Sequence, residues 1–381
     1  AAGGNRESAW NGAPGGSLPP GTQAPPGDRV PDPALARHVE TLLSRMSLRE
    51  QIGQRFISFL PRESPVDYYH KGLQRGPVGG IIIYPWNFTT IAGLRATIVR
   101  LDGMARRQAG GIGLFVSLDQ EGGRVRAVRS EDILQLPSAR NVGLHRDPQL
   151  VEALAYANGR ELRRLGFNMN LAPVLDLYPA ADGTVIGDRS YGAEPGLVGD
   201  MAEAFLRGSR EAEIIAVPKH FPGHGVTTVD SHGRLPVSRL TWDQLAESHA
   251  RPFRRVIDSG AEAIMTAHIL FPEEDPEHPV TLSERFLREI LRDELGFQGV
   301  VITDAIEMGA ISRNYETKET LRASFAGGVD IVLVHRNLNV WDLIETTEAM
   351  VRIGLLDRRT IEEGTRRILL LKGRYGLLPE H

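Results

Sequence analysis

From residue 33 to the C-terminus, short runs of β-branched and aliphatic residues alternate with longer stretches whose apolar positions recur every three or four residues. Eight runs read as strands, at 52–59, 79–84, 114–121, 167–176, 216–221, 263–269, 299–306 and 330–336. Helical spacing occupies 90–107, 148–165, 196–213, 242–258, 283–295 and 318–326, and again 340–353 and 360–375 after the last strand. Strands that alternate with helices imply a parallel sheet with right-handed crossovers, and eight such units suit a closed ring. The expected fold is therefore α/β, a (β/α)8 TIM barrel over residues 33–381 as one catalytic unit. A doubly wound open sheet is the competing architecture. It lacks its usual mark, because no Gly-x-Gly-x-x-Gly follows the first strand, and Gly122-Gly123 has no third glycine.

Residues 1–32 break the pattern. They hold seven Gly and six Pro with almost no periodic apolar positions, too little to offset the cost of ordering, and read as a flexible tether. A start at Ala1 suits a processed protein, so the expected location is exported, in the cell envelope or periplasm, with a lipid or envelope tether upstream; a cytoplasmic location is the alternative. No apolar run is long enough to span a membrane.

Composition changes the picture chiefly by exclusion. With no cysteine there is no disulfide framework, thiolate nucleophile or Cys-ligated metal. A formal net charge of -4 argues against a nucleic-acid partner. The chain has only four lysines, Lys71, Lys219, Lys318 and Lys372, which makes Lys219 inside an apolar strand conspicuous.

In a barrel the chemistry gathers where the strands end. Those positions are polar here: Asp119-Gln120-Glu121-Gly122-Gly123-Arg124, Asp176, Asp188-Arg189-Ser190, Lys219-His220-Phe221-Pro222-Gly223-His224-Gly225, Asp230-Ser231-His232, His268 and Thr303-Asp304. Asp176 and Glu121 read equally well as structural groups, helix caps or arginine partners, and as functional ones, while His224 between two glycines reads as a turn residue. Asp230 and His232, two residues apart, can form a pair in which the carboxylate sets the imidazole tautomer and lets it give and take a proton. Asp304, delivered from an apolar strand, is the expected nucleophile, and a carboxylate nucleophile facing an acid/base group is a retaining glycosidase arrangement.

The run 219–225 followed by Asp230-Ser231-His232 closely resembles the signature of the β-N-acetylglucosaminidases of glycoside hydrolase family 3. Further support comes from 119–125, 186–192, Leu171-Ala172-Pro173-Val174-Leu175-Asp176 and the opening 46–54. The resemblance implies a barrel-only member, with no room after Leu378 for a second α/β domain. It makes Asp304 the nucleophile, His232 the acid/base and Asp230 the group that orients it, and gives Asp119, Arg189, Lys219 and His220 the sugar hydroxyls, with Met308 lining the pocket. The activity implied is exo-acting, retaining removal of terminal β-linked N-acetylglucosamine from peptidoglycan fragments or chitooligosaccharides, without metal or organic cofactor.

Two departures stand out. Where the family reads Ser-Asp-Asp-Leu, this chain has Thr303-Asp304-Ala305-Ile306. Where the family often has an arginine three residues after the Arg124 position, this chain has Ala127, flanked by Arg126 and Arg129; Arg126 is the expected sugar contact, with Arg129 its rival. Within the same family, a β-glucosidase or a glycoside phosphorylase fits the residues too. A metal-dependent hydrolase using His220, His224, His232, His268 and Asp304 is disfavoured because His220 and His224 straddle Pro222 and Gly223 instead of lying on a helix. A sugar-binding protein without activity is disfavoured by the joint presence of Asp304, Asp230 and His232.

Overall fold

The computed structural model describes residues 32–179, 185–227 and 229–380. Apart from Asp32, the expected tether lies outside the described residues. Among the described residues ten strands occur, β1 (Phe56–Phe59), β2 (Gly80–Ile82), β3 (Phe115–Leu118), β4 (Gln120–Gly122), β5 (Val125–Arg126), β6 (Met169–Asn170), β7 (Ile215–Ala216), β8 (Ala263–Thr266), β9 (Val300–Thr303) and β10 (Val332–Val334). The order β10-β1-β2-β3-β6-β7 forms one parallel sheet and β8-β9 another. Parallel bridges Phe221 to Thr266 and Ile302 to Ile331 link the two pieces at either end, so the pairings return to their start. The fold is a TIM-barrel-like α/β fold.

Alternation within the strands explains why. Ile57, Phe59, Phe115, Met169, Ile215, Ala263, Met265, Val300, Ile302 and Leu333 fall in one apolar cluster inside the ring. Their neighbours Phe56, Val116, Ile264, Val301, Val332 and Val334 fall in a larger one shared with the helices. Both faces are apolar because both are covered, as parallel strands require.

The helices follow the periodicity closely: Ile91–Gln108, Pro148–Leu165, Pro195–Glu211, Thr317–Gly327, Val340–Arg352 and Arg358–Arg374. Expected 283–295 is a helix at Arg285–Glu294 wound with π geometry. Several expected spans need correction: 167–176 is a strand only at Met169–Asn170, 216–221 only at Ile215–Ala216, and 114–121 divides into Phe115–Leu118 and Gln120–Gly122. The first strand begins at Phe56, not at 52, because a capping box between Ser47 and Glu50 starts a helix at Leu48–Gln54. The span 242–258 is two helices, Trp242–Ala246 and Arg251–Asp258, the second opening with Pro252 in its first turn.

At the end of the ring away from the site, the last helix tucks buried Lys372 beneath the strands. Its Nζ donates to Gln54 Oε1 at 2.7 Å and to the carbonyls of Gly79 at 2.8 Å and Gly113 at 2.7 Å. Burial pushes its pKa down to about 7.

Candidate active site

Strand parity places the key groups. Continuing the inward-facing set Phe115 and Ser117 leads to Asp119 and Glu121, Ile215 and Val217 lead to Lys219, and Val300 and Ile302 lead to Asp304. Three strands thus deliver charge to the same mouth.

The first constellation is a charge-balanced quartet. Lys219 Nζ donates to Asp119 Oδ1 at 2.6 Å and lies 2.7 Å from Glu121 Oε1. Arg189 grips Glu121 with two parallel bonds, Nε to Oε2 and Nη2 to Oε1, both 2.8 Å. Burial opposes ionisation of Glu121, but Arg189 and Lys219 outweigh it and hold the carboxyl far below the ordinary range. Burial likewise works against the Lys219 ammonium, and Asp119 and Glu121 reverse the effect and raise its pKa. Both groups stay charged at neutral pH. Asp119 keeps 31% of its side chain exposed, against 4% for Glu121, so of the two carboxylates Asp119 is the one open to a ligand.

The second constellation surrounds Asp304. Fully buried Asp176 accepts three hydrogen bonds, from the backbone N–H of His220 at 3.2 Å, the backbone N–H of His224 at 2.6 Å and His220 Nδ1 at 2.7 Å. Burial opposes its charge, yet the His220 ring and the His224 amide hold the pKa below the ordinary aspartate value. An ionised Asp176 fixes the proton of His220 on Nδ1, which leaves Nε2 facing Asp304 Oδ2 at 4.0 Å. Asp304 Oδ1 accepts from the N–H of Ala305 at 2.8 Å. Burial again works against the charge, while His220, His268, that amide and Lys219 keep the Asp304 pKa below its usual value. The result is a carboxylate that stays ionised and is shielded from most solvent, which suits a nucleophile. His268 Nε2 donates to the Ala305 carbonyl at 3.0 Å and ties down the turn after Asp304.

The third constellation is the loop carrying the Asp-His pair. His232 Nδ1 is 2.8 Å from Asp230 Oδ1, which also accepts the His232 backbone N–H at 2.9 Å. The carboxylate therefore orients the ring and frees Nε2 for proton transfer. Both side chains are largely solvent-facing, 67% exposed for His232 and 56% for Asp230. The His232 carbonyl accepts the N–H of Gly309 at 3.1 Å, so the pair is joined through its backbone to the segment that follows Asp304.

Other expected residues occupy different surroundings. Met308 is buried at the start of the helical turn Gly309–Ser312. Arg126 lies on the β4–β5 hairpin with Nη1 donating to Gln135 Oε1 at 3.1 Å, and Arg129 donates to the Arg126 and Arg124 carbonyls. Glu121 and Asp176, which the sequence left evenly divided between structural and functional roles, prove to be the buried centres that fix Arg189, Lys219 and His220. Their partners lie 68, 98 and 44 residues away, beyond the reach of local pattern. His220, His224, His232 and His268 are each turned to a separate partner, and among the described residues no three or more metal-ligating side chains converge.

Comparison with known proteins accords with this geometry. The pattern of the "Glycosyl hydrolase family 3 N terminal domain" matches residues 47–371. A beta-hexosaminidase of Methylobacillus flagellatus is 34% identical over 263 residues, covering 68% of this chain and 73% of the relative. A beta-hexosaminidase of Thiobacillus denitrificans is 36% identical, with coverage of 68% and 71%. Among solved structures, a glycoside hydrolase family 3 beta-N-acetylglucosaminidase from Paenibacillus sp. superposes with a TM-score of 0.82 at 35% identity over 88% of this chain, which spans 64% of that longer one. With its strand-end carboxylates, its Asp-His loop and a family pattern running through most of its length, the chain belongs to glycoside hydrolase family 3 and is a glycoside hydrolase.

Proposed function

We propose that this hydrolase removes terminal β-linked N-acetylglucosamine with retention, through a covalent intermediate on Asp304, using His232 as acid/base and Asp230 to orient it. What supports the reading is a largely buried Asp304 that follows an apolar strand, together with an Asp230–His232 pair bonded at 2.8 Å whose backbone is held by the segment after Asp304. The beta-hexosaminidase relatives supply the sugar class.

In the first step Asp304 attacks the anomeric carbon as the bond to the leaving oxygen breaks, and His232 Nε2–H gives that oxygen its proton. In the second, His232 takes a proton from water while the water oxygen bonds to the anomeric carbon and Asp304 departs as carboxylate. Two displacements restore the β configuration. Asp119, Lys219, Arg189 and His220 recognise the sugar hydroxyls from the quartet and from Asp176's partner; charged partners suit a polyol because a missing hydroxyl leaves a buried charge unsolvated. Peptidoglycan fragments or chitooligosaccharides are the substrates that suit an enzyme of the cell envelope, a setting that the Gly/Pro-rich 1–32 segment fits.

Initial rates on p-nitrophenyl β-N-acetylglucosaminide and β-glucoside, with and without phosphate, test the reading. Preference for the N-acetyl sugar with phosphate-independent turnover supports it. A glucoside preference moves the protein to another branch of the family, and a phosphate requirement makes it a phosphorylase.

A further inference from the structure

The dyad loop is anchored by its backbone, while the Asp230 and His232 side chains bond each other and face solvent. Ser231, between Asp230 and His232, is buried. Its Oγ lies 3.1 Å from His224 Nε2, and its carbonyl accepts the N–H of Ala310 at 3.0 Å. The His232 carbonyl accepts the N–H of Gly309 at 3.1 Å. Two successive carbonyls of the acid/base loop are thus held by two successive amides of the segment that follows the nucleophile. The approach is close: a Cβ at Gly309 would stand 2.6 Å from the Gly233 carbonyl oxygen and 2.8 Å from that of His232. Real Cβ atoms do not come so near a carbonyl oxygen, so a side chain here must push the loop away. Gly233 itself is different, since a Cβ there meets nothing nearer than 3.7 Å.

From this contact we infer that Gly309 is a positioning residue that sets how far the His232 ring stands from the scissile oxygen above Asp304. The acid/base and the nucleophile come from different parts of the barrel, and the Gly309–Ala310 amides are where the two segments are joined. The inference rests on the proposed roles of His232 and Asp304. The absent side chain at 309 is the feature that lets the loop dock.

Gly309→Ala tests it, measured beside His232→Ala and Gly233→Ala. A displaced acid/base is felt most when the leaving group needs protonation, so kcat/KM on chitobiose should fall by about 10²–10⁴-fold, the usual contribution of general acid catalysis. On the p-nitrophenyl glycoside the loss should stay below roughly tenfold, which also shows that the variant is folded. Azide should restore p-nitrophenyl turnover, its nitrogen bonding to the anomeric carbon as the bond to Asp304 breaks. Gly233→Ala should stay within about twofold of the parent on both substrates, because an alanine there has room. Equal losses of Gly309→Ala on both substrates, or no loss, overturn the inference. If His232→Ala itself shows no leaving-group dependence, the acid/base assignment fails instead. Should Gly309→Ala not fold, Ser231→Ala adds no bulk and removes the bond to His224; it should show the same substrate-dependent loss at smaller size, and its absence overturns the inference.

Discussion

Replacing Asp176 with asparagine changes one buried oxygen for an NH2 group and nothing in shape. The structure dictates a penalty because all three groups aimed at Asp176 are donors: the amides of His220 and His224 at one oxygen, and His220 Nδ1 at the other. An asparagine has a single acceptor oxygen and cannot serve both sides. If its oxygen faces the amides, the NH2 meets Nδ1, and His220 must move its proton to Nε2, the nitrogen that faces Asp304. If it faces the ring, two backbone donors are stranded. The first arrangement costs less, and it still gives up one charge-assisted bond and the charge assistance on the other two. With about 1.5–3 kcal/mol for a bond to a charged group, the variant should lose about 3 kcal/mol of stability at pH 7. The effect carries a pH signature. The Asp176 pKa is depressed in the folded state, so its contribution is present above the unfolded aspartate value near 4 and fades as pH falls below it. Urea titrations of both proteins at pH 7 and at pH 3.5 measure this. A difference under about 1 kcal/mol at pH 7, or one that does not shrink on acidification, would refute the argument.

Glu121→Gln leaves Lys219 and Arg189 buried with Asp119 as their sole counter-charge in the quartet, and should cost about 3–5 kcal/mol, read by urea unfolding. Burial pushes the Glu307 carboxyl from its usual 4.5 up to about 7, against the pull of backbone groups at His335 and Leu338. Its folded pKa lies above the unfolded one, so it costs nothing below about pH 4.5 and most above pH 7; Glu307→Gln should therefore gain up to about 3 kcal/mol over the parent on going from pH 4.5 to 8. Asp230→Asn should keep the fold, since both dyad side chains are exposed, and lose more rate on chitobiose than on the p-nitrophenyl glycoside.

Most of the architecture was legible because parallel strands buried on both faces are continuous apolar runs, and their order alternates with helical spacing. Misreadings fall where one apolar run serves two elements: residues 52–54 close a helix and 56–59 open a strand, and periodicity alone does not divide them. The helix Pro65–Leu73 and the β4–β5 hairpin went unnoticed, being short and only partly apolar. In the site, Asp119, Lys219 and Asp304 were visible because charge at the end of an apolar strand is itself a signal. Glu121 and Asp176 were not separable from helix caps, since their meaning lies in cations and imidazoles brought near only by the closing of the ring. Lys372 shows the converse: a buried lysine in a lysine-poor chain, whose reason is three oxygens that line up at the far end of the strands.

In the proposed mechanism Asp304 becomes covalently bonded to the sugar. The most direct measurement is mass spectrometry after incubation with a fluorinated β-N-acetylglucosaminide that carries a good leaving group and slows breakdown of the intermediate. The expected result is a single glycosyl adduct that maps to the peptide containing Asp304 and disappears in Asp304→Asn. An adduct on another residue, or no adduct together with the α-anomer as first product of the natural substrate, would contradict it.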